Sequence, residues 1–345
     1  MSKQITLFPE QVNEAILKEL APIDHQGLVS SAERLTKNFR EKREEEKTFI
    51  YSSRDVAGYL ALRTPATYAQ MYGALSQLKE VLPSFRPHSL LDIGSGPGTA
   101  TWAVAEIFPS LRQVKMLEKQ KEFISLSKNI AAAYPKLNIE WKQTNFLTDT
   151  PHLEYLYDVV VISNVLNETG DFEMRKMIEF AQEYCNGVVI VVEPGTSYGN
   201  DIIHFAAQSF MRKGGNLLAP YVGNTVVVDE KEWIHFSQKI ERPDFQKRIR
   251  KALREDSLTP SDIEEAKFTF VVWSKTSPIE RPWGRLIQKP EIFKGYVELT
   301  VLTAQKVEKV KVLKRNKELF HFAKNLHWGD PIKGPSALST SDIPV

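Results

Sequence analysis

The sequence predicts an α/β protein built on a doubly wound, mostly parallel sheet. A helical region precedes that sheet and a β-containing extension follows it. Three observations carry the prediction. From residue 89 onward, apolar runs of strand length alternate with patterns of helical period. One of these strand-to-helix joins is a glycine-rich loop, Gly94-Ser95-Gly96-Pro97-Gly98. Before residue 85 and after residue 275 the alternation gives way, first to helical patterns and then to short strand-like ones. The boundaries expected from these shifts are 1–85 for the helices, 86–275 for the α/β domain, 276–332 for a basic β-rich extension and 333–345 for a loose tail.

The helical region reads element by element. Val12, Ile16, Leu17 and Leu20 recur at helical spacing over 11–20, and residues 28–39 repeat the pattern. The charge run at 40–47 reads as a solvated helix face. Pro65 is expected to end one helix, with a new one over 66–81, because proline removes a donor and crowds the preceding turn. Tyr59 and Tyr68 either flank an entrance or pack in the core, the commoner role of such aromatics.

The α/β part opens with a strand at 89–93, the glycine loop, and a helix over 100–106. The glycines permit a tight turn and a close backbone approach to a ligand. The helix beyond offers unpaired N–H groups and a positive dipole end, and Pro97 and Thr99 suit its entry. Glu118 ends a second strand, 114–117, about twenty residues on, where an acid can accept from ribose hydroxyls. A helix over 123–133 and a strand over 137–141 lead to Asn145-Phe146. The near-continuous apolar run 157–163 is a strand buried on both faces. It ends in Asn164-Val165-Leu166-Asn167-Glu168. A helix over 172–184 and a strand over 187–192 lead to Glu193-Pro194-Gly195-Thr196, and residues 199–211 read as the next helix. Segments 268–273 and 297–302 supply further strands, which either complete the main sheet or build a small β module.

Composition narrows the function classes. An apolar fraction of 42% and a charged fraction of 26% are those of a globular protein with a full core. The net charge of +2 gives no global field for nucleic acid, so any basic surface must be local. The single cysteine, Cys185, excludes a disulfide within the chain and a metal site built on several thiolates, and reads as a small buried residue. No disulfide-linked partner is expected. No apolar run is long enough to span a bilayer, so no membrane partner is expected, and the residues at 1–10 lack a presequence pattern. A cytoplasmic location is the expectation.

The loop, its helix and the distal acid together resemble the S-adenosylmethionine site of Rossmann-like class I methyltransferases. The resemblance implies cofactor contacts from Asp92, Gly94, Ser95, Gly96, Gly98, Glu118 and Asn145. Asp92 has an alternative role as an acceptor that steadies the loop. Further phrases narrow the resemblance: residues 59–68, Ser163-Asn164-Val165-Leu166-Asn167-Glu168, Glu193-Pro194-Gly195-Thr196, Trp233-Ile234-His235-Phe236-Ser237-Gln238, Lys314-Arg315 and His327-Trp328-Gly329-Asp330. Over about residues 50–332 the chain is similar to the mitochondrial small-ribosomal-subunit methyltransferase-like family and its bacterial relatives. The resemblance implies an S-adenosylmethionine-dependent methyltransferase that acts on, or docks to, ribosomal RNA of the small subunit.

One departure is large. Many members of that family hold an iron–sulfur cluster on four cysteines. The resemblance puts Ala219, the neighbourhood of Thr225, Ile234 and the neighbourhood of Leu302 at those places. Thiolates are the cluster's ligands, so no iron–sulfur cluster is expected, and apolar packing or hydrogen bonds take its place. His235 remains and reads as a structural histidine on a helix.

Catalytic residues are harder to assign. The segment after the 157–163 strand has no diproline with an aromatic to hold a flipped base and no cysteine nucleophile. Asn164, Asn167 and Glu168 either orient a polar acceptor or cap the following helix. Two local basic segments bear on RNA. Lys247, Arg248, Arg250, Lys251 and Arg254 lie on a helix whose apolar face is Phe245, Ile249 and Leu253. Lys309, Lys311, Lys314 and Arg315 alternate with valines on a strand with one buried and one basic face. A merely solvated surface is the alternative for both. Three function classes stay open: the methyltransferase, a non-catalytic ribosome-assembly or RNA-binding factor that retains the fold, and a methyltransferase for a small molecule or protein.

Overall fold

The structure is a computed structural model, and it describes residues 5–41, 53–228, 233–253, 262–278 and 280–334. Among these residues the strands form two sheets. Three helices come first: α1 (Glu10–Leu20), α2 (His25–Glu41) and α3 (Ser53–Val81). The alternating part follows as β1 (Ser89–Ile93), α4 (Thr99–Ile107), β2 (Gln113–Glu118), α5 (Lys121–Ala131), β3 (Asn138–Gln143), β4 (Tyr157–Ser163), α6 (Asp171–Glu183), β5 (Cys185–Pro194) and α7 (Ser197–Arg212). Then come β6 (Asn216–Ala219), β7 (Phe236–Glu241), α8 (Asp244–Ala252) and β8 (Ile263–Ser274). The remainder is β9 (Gly284–Leu286), β10 (Glu291–Ile292), β11 (Tyr296–Thr303), β12 (Val307–Leu313), α9 (Lys317–Lys324) and β13 (Pro331–Ile332).

The first sheet has the order β3-β2-β1-β4-β5-β8-β6, with β7 paired to β8. β1 to β5 are parallel, and β8 runs antiparallel to β5, β6 and β7. The chain winds outward from β1 to β3 and then returns to β4 on the other side. That reversal puts a switch point between β1 and β4, at their carboxyl ends, where open α/β sheets bind ligands. The strands run Val159-Val160-Val161-Ile162 and Val188-Val189-Ile190-Val191-Val192 because both faces are covered, and all nine residues are buried. The second sheet, β10-β11-β9-β13 with β12 on β11, is antiparallel. Of the two late segments expected as strands, 268–273 therefore joins the first sheet and 297–302 the second.

Helix α3 corrects the expected break at Pro65. It is one helix of 29 residues with Pro65 inside it. An internal proline costs about 3 kcal/mol through the lost hydrogen bond and the clash with the preceding turn. Burial offsets that cost. Leu60, Ala61, Leu62, Tyr68, Ala69, Met71, Ala74, Leu75 and Leu78 are all buried, and the helix packs on α2, α4, β7 and β8. Its face is so close to β8 that a Cβ on Gly73 would lie 2.6 Å from Phe268 Cζ. Residues of α1, α2 and α3 share one apolar core with the first sheet.

A buried arginine joins the two sheets. Arg285 on β9 donates from Nε to the Pro220 carbonyl at 3.1 Å and from Nη1 to the Gly329 carbonyl at 2.8 Å. Nη1 also lies 3.7 Å from Glu80 Oε2 at the end of α3. The side chain is fully buried. Its loss would leave two carbonyls without this donor, at a cost of about 1–3 kcal/mol each. Arg285→Leu is therefore expected to lower the free energy of unfolding by about 2–6 kcal/mol, read from urea denaturation of the full chain.

Candidate functional site

The cleft lies over the carboxyl ends of β1, β2 and β4 and holds about 930 Å³ of space, part of it open to solvent. Gly94, Ser95, Gly96, Pro97 and Thr99 form one wall, and Leu117, Glu118, Lys119 and Gln120 another. Ser163, Asn164, Val165 and Glu168 face them, while Tyr59 and Thr67 enter from α3 and Phe146 from beyond β3.

The glycine loop is shaped by backbone needs. Gly94 has φ of +69°, and a Cβ there would lie 2.7 Å from Val165 Cγ2. Gly96 has φ of +53°, and a Cβ there would meet nothing within 4 Å, so its backbone stands open to the cleft. Gly98 caps α4 in a left-handed conformation with no side-chain cap bond. Glu118 holds the loop in place. Its Oε2 accepts from the Gly96 N–H at 2.8 Å and its Oε1 from the Gln120 N–H at 2.9 Å. The acid that the sequence assigns to a ligand thus also ties the tip of the loop to the end of β2. Each carboxylate oxygen has a second lone pair, so Glu118 can still accept from a ligand hydroxyl.

Asp92 is buried at the base of the cleft. Its Oδ2 accepts from the Thr101 hydroxyl at 2.7 Å, while Oδ1 is buried with no hydrogen-bond partner. The Ser95 hydroxyl is likewise buried and unpartnered. A buried polar atom without a partner carries a desolvation cost that a ligand can relieve. Asn164 follows β4 with φ of +55°, a conformation that asparagine tolerates better than most residues, and its Nδ2 donates to Ser163 Oγ at 3.2 Å.

Burial pushes four carboxyls up. Asp92 rises to about 7, with the Thr101 bond opposing the shift. Glu168, half-buried on the turn Leu166–Glu168, rises to about 7, with Lys119 and Arg63 opposing. Glu193 at the end of β5 rises to about 8, although its Oε1 accepts from the Leu166 N–H at 3.0 Å. Glu118 is also raised, against its two backbone donors. Three of the four, Asp92, Glu118 and Glu168, line the cleft, and shifted carboxyls cluster at functional sites.

The structure does not bring every expected residue here. Asp92, Gly94, Ser95, Gly96, Glu118, Asn164 and Glu168 line the cleft. Asn145 is exposed and makes a local turn, its Oδ1 accepting from the Leu147 N–H at 3.1 Å, while Thr144 and Phe146 face the cleft instead. Asn167 is not on the lining. The alternative of helix capping is not what the 164–168 segment does, because α6 begins after Gly170 with no side-chain cap. Tyr59 lines the cleft with its ring 5.1 Å from Phe123, whereas Tyr68 is core, edge-on to Phe8. Sequence reasoning missed Thr67, Lys119, Gln120, Glu173 and Met177 on the lining. It also missed the anchoring role of Glu193. A buried acid closing an otherwise apolar strand was the available signal for Glu193, and the others carried none.

The basic segments have acidic neighbours. Lys247 lies within 4 Å of Glu241, Asp244 and Asp262, and Arg250 within 3.3 Å of Glu264. Lys309 and Lys311 flank Glu298. Arg248, Lys251, Lys314 and Arg315 are exposed, and Arg254 lies outside the described residues. The expected apolar face of α8 is present, with Phe245 and Ile249 buried.

The places that the resemblance gives to cysteines are filled differently. Ala219, Ile234 and Leu302 are buried in the main apolar core, and Thr225 is exposed. No thiolate stands there, and burial pushes the Cys185 thiol up to about 12 at the start of β5. This donor set does not fit an iron–sulfur cluster. His235 lies in the segment before β7, not on the expected helix. Its neighbour Phe236 begins an extended strand against β8, where aromatic packing of Phe236 on Phe268 and Phe270 favours the sheet.

Residues 53–333 match the family described as "Mitochondrial small ribosomal subunit Rsm22". The chain belongs to the Rsm22 family. It is 24% identical over 315 residues to the human "Ribosome assembly protein METTL17, mitochondrial", covering 82% of this chain and 64% of that protein. It is 26% identical over 183 residues to "Rsm22-cox11 tandem protein 2, mitochondrial" of Schizosaccharomyces pombe, covering 50% of this chain and 24% of that protein. It thus spans less than two thirds of either relative's length. The first sheet of this Rsm22-family chain has the class I methyltransferase arrangement, with an antiparallel strand set between the last two. Solved structures similar to it include the precorrin-6y C5,15-methyltransferase of Geobacter metallireducens, at TM-score 0.37 and 13% identity, over 60% of this chain and 87% of that one. Another is the N-methyltransferase NodS of Bradyrhizobium japonicum in complex with S-adenosyl-L-homocysteine, at TM-score 0.36 and 13% identity, over 60% and 86%.

The raised carboxyls set a pH dependence. In the unfolded chain they titrate near their ordinary values, so between about pH 4 and pH 8 the folded state binds more protons and stability falls as pH rises. The urea midpoint is expected to decrease from pH 5 to pH 8.5. Glu193→Gln, which cannot ionise, should show a shallower decrease across the same range.

Proposed function

We propose that this chain binds S-adenosylmethionine in the cleft and works on the small ribosomal subunit, docking to its ribosomal RNA. One observation carries the cofactor reading: the Glu118 carboxylate and the open Gly96 backbone meet at the switch point, beside the unpartnered Asp92 Oδ1 and Ser95 Oγ. These residues fit a ligand with ribose hydroxyls and a charged amino-acid tail. When bound, the cofactor supplies a methyl group on a cationic sulfonium. The chain's own part is to orient it, through the loop and Glu118, and to present carboxylates of Asp92, Glu118 and Glu168 to a positive charge. The ribosomal part of the reading is supported by the Rsm22 family match and by the human relative named as a ribosome assembly protein. The exposed Arg248, Lys251, Lys314 and Arg315 suit phosphates.

A second reading keeps the docking and drops the turnover. The favouring observation is the β4 edge, where the Asn164 amide is taken by Ser163 and Asn167 is off the lining. Incubating the full chain with isolated small-subunit particles and methyl-labelled S-adenosylmethionine separates the two. Cosedimentation with label in the RNA is the result expected of an enzyme. Cosedimentation without label supports the assembly factor. A chain that does not sediment with the particles contradicts both.

A further inference from the structure

Two phrases far apart in the chain, around Trp233 and around Trp328, meet in one aromatic cluster. The Trp233 ring stacks on His235 with centroids 5.3 Å apart and planes 25° apart. His235 then meets Trp328 edge-on at 4.8 Å and 77°. His235 Nδ1 donates to the Trp233 carbonyl at 3.1 Å, which fixes the two rings relative to each other. The segment is anchored from below, because the Ile234 N–H donates to the buried Asn200 Oδ1 at 3.1 Å and the Ile234 side chain is in the core. Trp233 itself is 46% exposed. A large aromatic held rigidly on a stack, with nearly half of its surface in water, is poor economy for a core and well suited to a flat partner.

The surroundings are basic. Lys289 Nζ lies 5.9 Å from the Trp328 ring centre and 2.9 Å from Glu265 Oε1. Ser237 donates to the same oxygen at 2.8 Å. On the β7–β8 ribbon, Ser237 faces Lys267 and Lys239 faces Glu265 in register, and both lysines are exposed. Lys289 and Lys239 thus act on one acid, and Lys267 lies opposite Ser237 on the same ribbon. Glu265 is held below its ordinary value by Lys289, Ser237 and Lys239, so it stays ionised and leaves the patch with a positive surplus.

Position matters as well. Pro194, the last residue of β5, pairs with Phe268, so the part of β8 that pairs with β7 extends beyond the carboxyl end of β5. That end of the ribbon carries Lys239 and Lys267 toward the edge on which the cleft opens, and Trp233 precedes Phe236 at the other end of the pairing. The geometry points to a platform for single-stranded RNA, with an unstacked base on the outer face of Trp233 and the neighbouring phosphates on Lys239, Lys267 and Lys289. Base-on-aromatic stacking beside a cationic track is the chemistry of single-strand recognition. This platform rests on the ribosomal RNA reading above and assigns that reading a surface apart from α8 and β12.

The test uses the full chain, a short fluorescein-labelled single strand copied from small-subunit ribosomal RNA, and the perfect duplex of the same sequence. Trp233→Ala is expected to weaken single-strand binding by about tenfold, within the range for one stacked base, and to leave duplex binding unchanged. Trp233→Phe should retain most of the affinity. Replacing Lys239, Lys267 and Lys289 with glutamine should flatten the salt dependence. Thermal melting shows whether each variant is folded. Equal single-strand affinity in Trp233→Ala and the native chain overturns the platform and leaves the docking reading standing. The same holds if single strand and duplex weaken together, or if only cosedimentation with the subunit weakens, which would point to a ribosomal protein. A native chain that binds neither RNA nor the subunit overturns both.

Discussion

A carboxylate that accepts backbone N–H groups from two different loops sets the shape of this protein's working edge. Glu118 does so between Gly96 and Gln120. Parallel strands end together at one edge, and the loops leaving them have donors that no neighbouring strand can take. Glu193 at the end of β5 makes a simpler tie in the same sheet, its Oε1 fixing Leu166 in the turn after β4. Glu118 thus ties the loop after β1 to the loop after β2, and Glu193 ties the turn after β4 to the end of β5. The cleft is the space that remains between them.

Such stitching has an electrostatic cost. Burial raises the pKa values of Asp92, Glu118, Glu168 and Glu193, and repulsion from a neighbouring carboxylate adds to it for Asp92, Glu168 and Glu193. Proteins place strain of this kind where a ligand relieves it. A cationic ligand would do so, and the opposing charges of Lys119 and Arg63 already do so in part for Glu168. The second sheet is fixed by a different buried charge, Arg285, whose carbonyl partners lie in the loops after β6 and α9.

Local periodicity made most of the α/β core legible. The valine runs of β4 and β5, the glycine loop and Glu118 are written in contiguous residues, and they fold as their spacing implies. The failures share a cause. Pro65 is a strong local signal for a helix end, yet α3 is buried along most of its length, and packing on α2, α4, β7 and β8 overrode it. His235 looked helical in isolation, but pairing of Phe236 with Phe268 decides the segment. Asn145 is one residue from the lining, and a shift of one position in a loop turns a side chain from the cleft to solvent. The neighbours of Lys247, Lys309 and Lys311 are acids that a reading of basic segments alone does not weigh. The meeting of Trp233, His235 and Trp328 is long-range and invisible to any window of the sequence.

The central claim is that the edge held by Glu118 receives S-adenosylmethionine. The most direct measurement is calorimetric titration of the full chain with S-adenosylmethionine and S-adenosylhomocysteine, beside a Gly96→Arg variant verified as folded by thermal melting. The account predicts saturable binding of both ligands to the native chain and no binding to the variant, whose side chain would occupy the open space above the loop. A native chain that binds neither ligand, or a folded variant that binds both as well as the native chain, would contradict it.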